Sequence, residues 1–110
     1  MRQFVIDELS REERNNIENY LKRTLDPGPM AGLYWLKLPD DLLADNQQGH
    51  TGCRPFCFGV LLDDDVVRFE LLVRSQTTLH CDCIAHATPA QREFVLRYVD
   101  KLLTEEMIRA

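Results

Sequence analysis

The sequence lacks a long apolar run, which argues against two large classes of protein. No stretch approaches the roughly 20 consecutive apolar residues that a membrane-spanning helix requires. The run near the start, Phe4–Ile6, is much shorter than the apolar segment of a secretory signal. We therefore expect a cytoplasmic protein, in which the 4 cysteines stay reduced.

Positive charge and glycine are also scarce. The 13 Lys and Arg residues are outnumbered by 18 Asp and Glu residues, and the formal net charge is −5. Proteins that grip nucleic acid or anionic lipid need a positive surface, so we expect neither as a partner. The 5 glycines do not follow the spacing of phosphate-binding loops.

What is present fits an ordinary folded domain. The chain has 110 residues, of which 45% are apolar and 28% charged, close to the average for globular proteins. That length matches one typical domain, and the sequence contains no repeat or low-complexity tract. We therefore predict a single domain over residues 1–110.

Two segments carry the signals of helices. Ser10 stands three residues before Glu13, which is the spacing of a capping box, and predicts a helix from about Arg11 to Leu25. Thr88, Pro89 and Gln91 predict a second start, with a long helix running to about Met107. Both segments have apolar residues at helical spacing, so each helix should bury one side.

Between the helices, short β-prone runs alternate with turn residues. The four predicted strands are Leu33–Leu38, Phe56–Leu62, Val66–Val73 and Leu79–Ala85, with Phe4–Ile6 as a candidate fifth. Tight turns between the last three strands favour an antiparallel sheet. The predicted fold is α+β: an antiparallel sheet of four or five strands with the N-terminal helix and the long C-terminal helix on one face.

Alternation along the last two strands also predicts how they pair. Placing Phe69 opposite Cys81 sets Glu70 opposite His80 and Arg68 opposite Asp82, which are complementary outer pairs. In this register Cys81 and Cys83 point into the core as small packing residues.

The outer face of the predicted sheet is partly apolar. It carries Trp35, Leu61, Arg68, Leu72 and Ile84, a mixture typical of a protein-contact surface, although scattered surface apolar residues are also normal. Because no catalytic set stands out, the first functional hypothesis is a non-enzymatic interaction or regulatory module without a cofactor. It would act as a homodimer, through this face or through the C-terminal helix, or it would bind another protein.

A second hypothesis is a zinc-binding module. Two clusters contain thiol and imidazole ligands of the type that zinc selects: His50, Cys53 and Cys57, and His80, Cys81 and Cys83. Alternate residues on a regular strand lie roughly 6.6 Å apart at Cα. Sulfurs around one zinc ion lie only about 3.8 Å apart, so Cys81 and Cys83 could share an ion only at a bulge or turn. Alternation also places Cys57 on the opposite face of its strand.

A third hypothesis is a cysteine-dependent enzyme. Cys53 lies in the polar stretch 45–54, beside Arg54 and near His50, and an activated thiolate needs such a setting. No third group that would orient the histidine is evident in the sequence.

Overall fold

The computed structural model describes residues 2–108 and has the predicted α+β class. Three α-helices are present: α1 (Arg11–Thr24), α2 (Asp45–Gln48) and α3 (Pro89–Glu105). The strands are β1 (Gln3–Ile6), β2 (Asp26–Pro27), β3 (Leu33–Lys37), β4 (Phe56–Leu62), β5 (Val67–Glu70), β6 (Leu72–Ser75) and β7 (Ala85–His86). The antiparallel sheet therefore has seven strands, more than the four or five predicted.

Strand β4 is the centre of the sheet. The main path runs β1-β5-β4-β3-β2, while β6 pairs with β4 and with β7. Strands β5 and β6 both pair with β4, through Val60 opposite Phe69 and Phe56 opposite Ser75. Between these two pairs the partner strand has two more residues than β4, so it bulges near Leu71 and changes direction. The bulge sends β6 and the residues after it toward the end of β4 that follows α2.

Both long helices cover the same face of the sheet, as predicted. The α3 ring of Phe94 lies 6.4 Å from Phe58 of β4, and Tyr98 lies 6.2 Å from Phe69 of β5, measured between centroids. The ring of Tyr20 in α1 lies 5.8 Å from that of Tyr98, tilted by 55°. Aromatic pairs at these separations attract beyond their area burial, so they fix both helices on the sheet.

The helix starts follow the capping signals. The side chain of Ser10 accepts from the backbone N–H of Glu13, and Glu13 accepts from the backbone N–H of Ser10. Thr88 and Gln91 form the same reciprocal pair at the start of α3. Within residues 2–108, no helix is both long and apolar enough to cross a membrane.

The predicted strand Leu79–Ala85 is wrong, and so is the register built on it. Residues 76–84 form a loop, and only Ala85–His86 pair in a sheet. The edge of β5 is instead occupied by β1, with Phe4 opposite Phe69. Arg68 therefore faces Val5 and Glu70 faces Gln3, so the predicted pairs with Asp82 and His80 do not form. Alternation shows which face of a strand is buried, but it does not show which strand is its neighbour.

Candidate metal centre

Four side chains from two separate loops converge at one end of the sheet. They are His50, Cys53, Cys81 and Cys83, and one ligand atom from each lies within 4.8 Å of all the others. The sulfurs of a tetrahedral zinc site lie about 3.8 Å apart, so small movements would bring these four atoms to the spacing of ligands around one ion. All four cysteines of the chain are free thiols.

The first loop is less irregular than its polar composition predicts. The predicted loop 45–54 contains α2, and then a 3₁₀ turn over Thr51–Cys53, in which the N–H of Cys53 donates to the carbonyl of His50 at 3.1 Å. Residues three apart on a 3₁₀ turn eclipse one another. His50 and Cys53 therefore lie on the same side, with 3.9 Å between Nδ1 and Sγ.

The second loop supplies the turn that the sequence argument required. The N–H of Ile84 donates to the carbonyl of Cys81 at 3.1 Å, which closes a turn over Cys81-Asp82-Cys83. Because the chain turns here, Cys81 and Cys83 are not held at the separation of roughly 6.6 Å at Cα that alternate residues have on a strand. The Sγ of Cys81 lies 3.2 Å from His50 Nδ1. The distance objection to zinc thus depended on a strand that the structure does not contain.

The pKa values of two thiols in the cluster are shifted in opposite directions. Hydrogen bonding with His50 and with the Thr78 hydroxyl lowers the pKa of Cys53 to about 7. Burial, together with the neighbouring thiols Cys81 and Cys53, raises the pKa of Cys83 to about 12. Adjacent buried thiolates repel one another, so Cys53 and Cys83 can both be thiolates only if a cation lies beside them.

A carboxylate stands behind the histidine. Asp82 Oδ1 lies 3.9 Å from His50 Nε2. This is the second ring nitrogen, since Nδ1 is the one that faces the thiols. Histidines that bind metal commonly direct the second ring nitrogen toward a carboxylate. The predicted strand pairing placed Asp82 opposite Arg68, so its position beside His50 was not predicted.

Two of the residues named as possible ligands lie elsewhere. Cys57 is fully buried in β4, where its thiol donates to the carbonyl of Arg74 at 3.7 Å, and burial raises its pKa to about 11. His80 is exposed in the second loop and does not belong to the four-residue cluster. The chain therefore contains a cysteine and a histidine that serve as internal controls.

The residues named for the interaction face are all half-buried. Pairing places Leu61 opposite Arg68, and Trp35 opposite Gly59, on the sheet face away from the helices. Trp35 and Ile84 line a groove of about 340 Å³, and the groove also contains Leu79. Leu79, the first residue of the predicted strand Leu79–Ala85, is 87% exposed.

The arrangement gives less support to a cysteine nucleophile. A catalytic base normally lies about 2.6–3.2 Å from its nucleophile. The 3.9 Å between His50 and Cys53 is longer, and Cys81 is closer to the same nitrogen. Three thiols and one imidazole around one point are characteristic of a structural zinc site, in which protein ligands fill every position.

Fold and site together therefore describe a small α+β protein with a Cys3His cluster at one end of its sheet. No known protein family, curated protein or solved structure shows a significant match to this chain.

Proposed function

We propose that this protein is a zinc-binding module whose Cys3His centre joins its two ligand-bearing loops. The observation that carries the proposal is the mutual distance of at most 4.8 Å among one atom each of His50, Cys53, Cys81 and Cys83. Four ligands complete a tetrahedron, so the centre leaves no open position for substrate. The role of the ion is accordingly structural.

The donor set favours zinc over the other common cations. Thiolate and imidazole suit zinc, whereas magnesium and calcium prefer oxygen. Three sulfurs and one nitrogen close to a single point fit one ion better than a cluster, which spreads its ligands over several metals. A mononuclear iron site is the nearest competitor in chemistry, and elemental analysis separates the two.

The test is the metal content of purified protein, measured by elemental analysis after expression with zinc available. We expect one zinc per chain in the wild type, and little or none in Cys83→Ser or His50→Ala. Cys57→Ser and His80→Ala are the matched controls, because each removes the same kind of residue outside the cluster. Wild-type protein without bound metal, or equal losses in the ligand and control variants, would rule the proposal out.

A second proposal concerns the interaction module. Trp35 lies on the sheet face away from α1 and α3 and lines the groove described above. The exposed Leu79 of the second ligand-bearing loop lines the same groove. We propose that this face forms a homodimer contact, which the ordered loop would support. Light scattering should show a dimer that Leu79→Ser weakens; a wild-type monomer at high concentration would contradict it.

A further inference from the structure

Each of the two ligand-bearing turns, His50–Cys53 and Cys81–Cys83, accepts hydrogen bonds from residues that precede the other turn in the chain. Helix α2 directly precedes His50, yet its side chains reach the Cys81–Cys83 turn. Asn46 Nδ2 donates to the carbonyl of Asp82 at 3.0 Å, and Gln47 Nε2 donates to the carbonyl of Cys83 at 3.1 Å. Two successive carbonyls of the second turn are therefore fixed from the first loop.

The reverse contacts come from the end of β6. The hydroxyl of Ser75 donates to the carbonyl of Cys53, and the hydroxyl of Thr77 donates to the carbonyl of Gly52 at 2.9 Å. Ser75 is the last residue of β6, and Thr77 lies at the start of the second loop. The two ligand turns are thus cross-braced by hydrogen bonds that do not use any ligand atom.

Gln47 is the most buried member of this bracing. It is 1% exposed, and its Oε1 accepts from the backbone N–H of Ala44 at 2.9 Å and from Gln91 Nε2 at 3.0 Å. Because two donors occupy the amide oxygen, the amide nitrogen must point toward Cys83. The orientation of the amide is therefore determined by its surroundings.

Gln91, which donates to the amide oxygen of Gln47, is itself held in place by hydrogen bonds. It is 0% exposed, and its Nε2 also donates to the carbonyl of Leu42 at 2.9 Å. Its Oε1 accepts from the N–H of Thr88 at the start of α3. A continuous set of hydrogen bonds therefore runs from the first turn of α3, through two buried amides, to a ligand residue.

A buried amide is costly unless all its bonds are made, and an apolar side chain would fill the same space. We propose that Gln47 is a positioning residue of the metal centre, which fixes the Cys81–Cys83 turn through the carbonyl of Cys83. The proposal rests on the zinc-binding function proposed above. Groups that orient metal ligands from outside the ligand set typically change metal affinity by about 10–100-fold when they are removed.

The first test replaces Gln47 with a residue of similar size that cannot hydrogen-bond. Gln47→Met should weaken zinc binding about 10–100-fold in competition with a chromophoric chelator. It should also alter the visible bands of the cobalt(II)-substituted protein, because those bands report the geometry of the ligands. Ile17→Val, a conservative truncation of a fully buried α1 residue, is the control for general destabilisation and should leave both readouts unchanged.

The second test covers the case in which Gln47→Met does not fold. Asn46 is exposed, so Asn46→Ala should fold normally and still release the carbonyl of Asp82. We expect a several-fold loss of zinc affinity. Gln48→Ala is its matched control, because Gln48 belongs to the same helix and donates instead to Leu43.

The outcomes separate this inference from the function on which it rests. Wild-type protein that binds zinc, with Gln47→Met and Asn46→Ala matching their controls in affinity and cobalt spectrum, would overturn the positioning role alone. Wild-type protein that binds no zinc overturns both proposals. Weakened binding with an altered cobalt spectrum in Gln47→Met supports the positioning role, and so does weakened binding in Asn46→Ala if Gln47→Met does not fold. A folded Gln47→Met that matches Ile17→Val in both readouts overturns the role of Gln47, whatever Asn46→Ala shows.

Discussion

The helix-covered layer and the two ligand-bearing loops, residues 45–54 and 76–84, bury different kinds of side chain. The layer buries hydrocarbon, with Phe58, Phe69 and Val95 each 0% exposed. In the two loops, the buried side chains are Gln47, Cys53 and Cys83. The layer can therefore be stabilised by packing alone, whereas the loops depend on hydrogen bonds and, as we propose, on an ion.

This difference explains why alternating apolar residues form a strand beneath the helices in β4 but a loop in residues 79–85. In β4 the alternation of Phe56, Phe58 and Val60 marks residues that pack beneath the helices. In residues 79–85 a similar alternation involves Leu79, which is exposed, and two cysteines of the metal cluster. A cysteine in a sequence is compatible with either role, and only its neighbours in space distinguish them.

The largest effect is expected in the layer. Phe58→Ala removes a fully buried ring and should lower the free energy of unfolding by about 3–5 kcal/mol. Chemical denaturation measures the loss. The folded fraction of the variant should still bind one zinc per chain, because Phe58 is not one of the four candidate ligands. If the variant folds but no longer binds zinc, the two regions are not as separate as we describe.

The second largest effect is expected from metal removal, and it should be confined to the two loops. Zinc at a free concentration of 100 times its dissociation constant would stabilise the folded state by about 2.7 kcal/mol, which a strong chelator would remove. Amide hydrogen exchange should accelerate in residues 45–54 and 76–84 and change little in β4 and α3. Uniform acceleration throughout the chain would show that the ion stabilises the layer as well.

The third effect is the pH dependence of zinc binding. The pKa of Cys83 is raised to about 12, so at neutral pH this thiol must lose its proton when zinc binds. Raising the pH therefore favours binding, by about tenfold or 1.4 kcal/mol per pH unit for one released proton. Chelator competition between pH 7 and pH 8 measures this. An affinity that does not change over that range would contradict thiolate ligation by Cys83.

The smallest effect is expected when the N-cap side chain of either long helix is removed. Ser10→Ala and Thr88→Ala should each lower stability by about 1 kcal/mol, since each removes one N-cap acceptor. Only Thr88→Ala should also weaken zinc binding, because the Thr88 hydroxyl accepts from the backbone N–H of Gln91, whose side chain donates to Gln47. The loss should stay below the roughly tenfold effect expected at Gln47 itself. Equal zinc affinities in the two variants would mean that the link does not extend to α3.

Local signals in the sequence predicted most of the layer. The capping boxes at Ser10 and Thr88 gave the helix starts, and alternation gave the strands of the central hairpin on either side of Asp63–Asp65. These elements are determined by residues close in the chain, so they can be predicted without knowing the fold. The two-residue strands β2 and β7 have no such signal, because they exist only as partners of β3 and β6.

The candidate site could be predicted only in part. The residue types indicated zinc, but six side chains were plausible ligands, and the choice of His50 over His80 depends on the 3₁₀ turn and on the path of β6. The bulge near Leu71 redirects that path, and its position follows from the pairing of distant strands. Gln47 and Gln91 lie far apart in the chain and carry no metal-binding signal.

Zinc K-edge X-ray absorption of the metal-loaded protein tests the central claim most directly. The account predicts three sulfur ligands near 2.3 Å and one nitrogen ligand near 2.0 Å, the distances typical of zinc with cysteine and histidine. The spectrum of Cys57→Ser should be the same, and that of Cys81→Ser should lose one sulfur. A first shell dominated by oxygen or nitrogen, or a wild-type spectrum with fewer than three sulfurs, would contradict it.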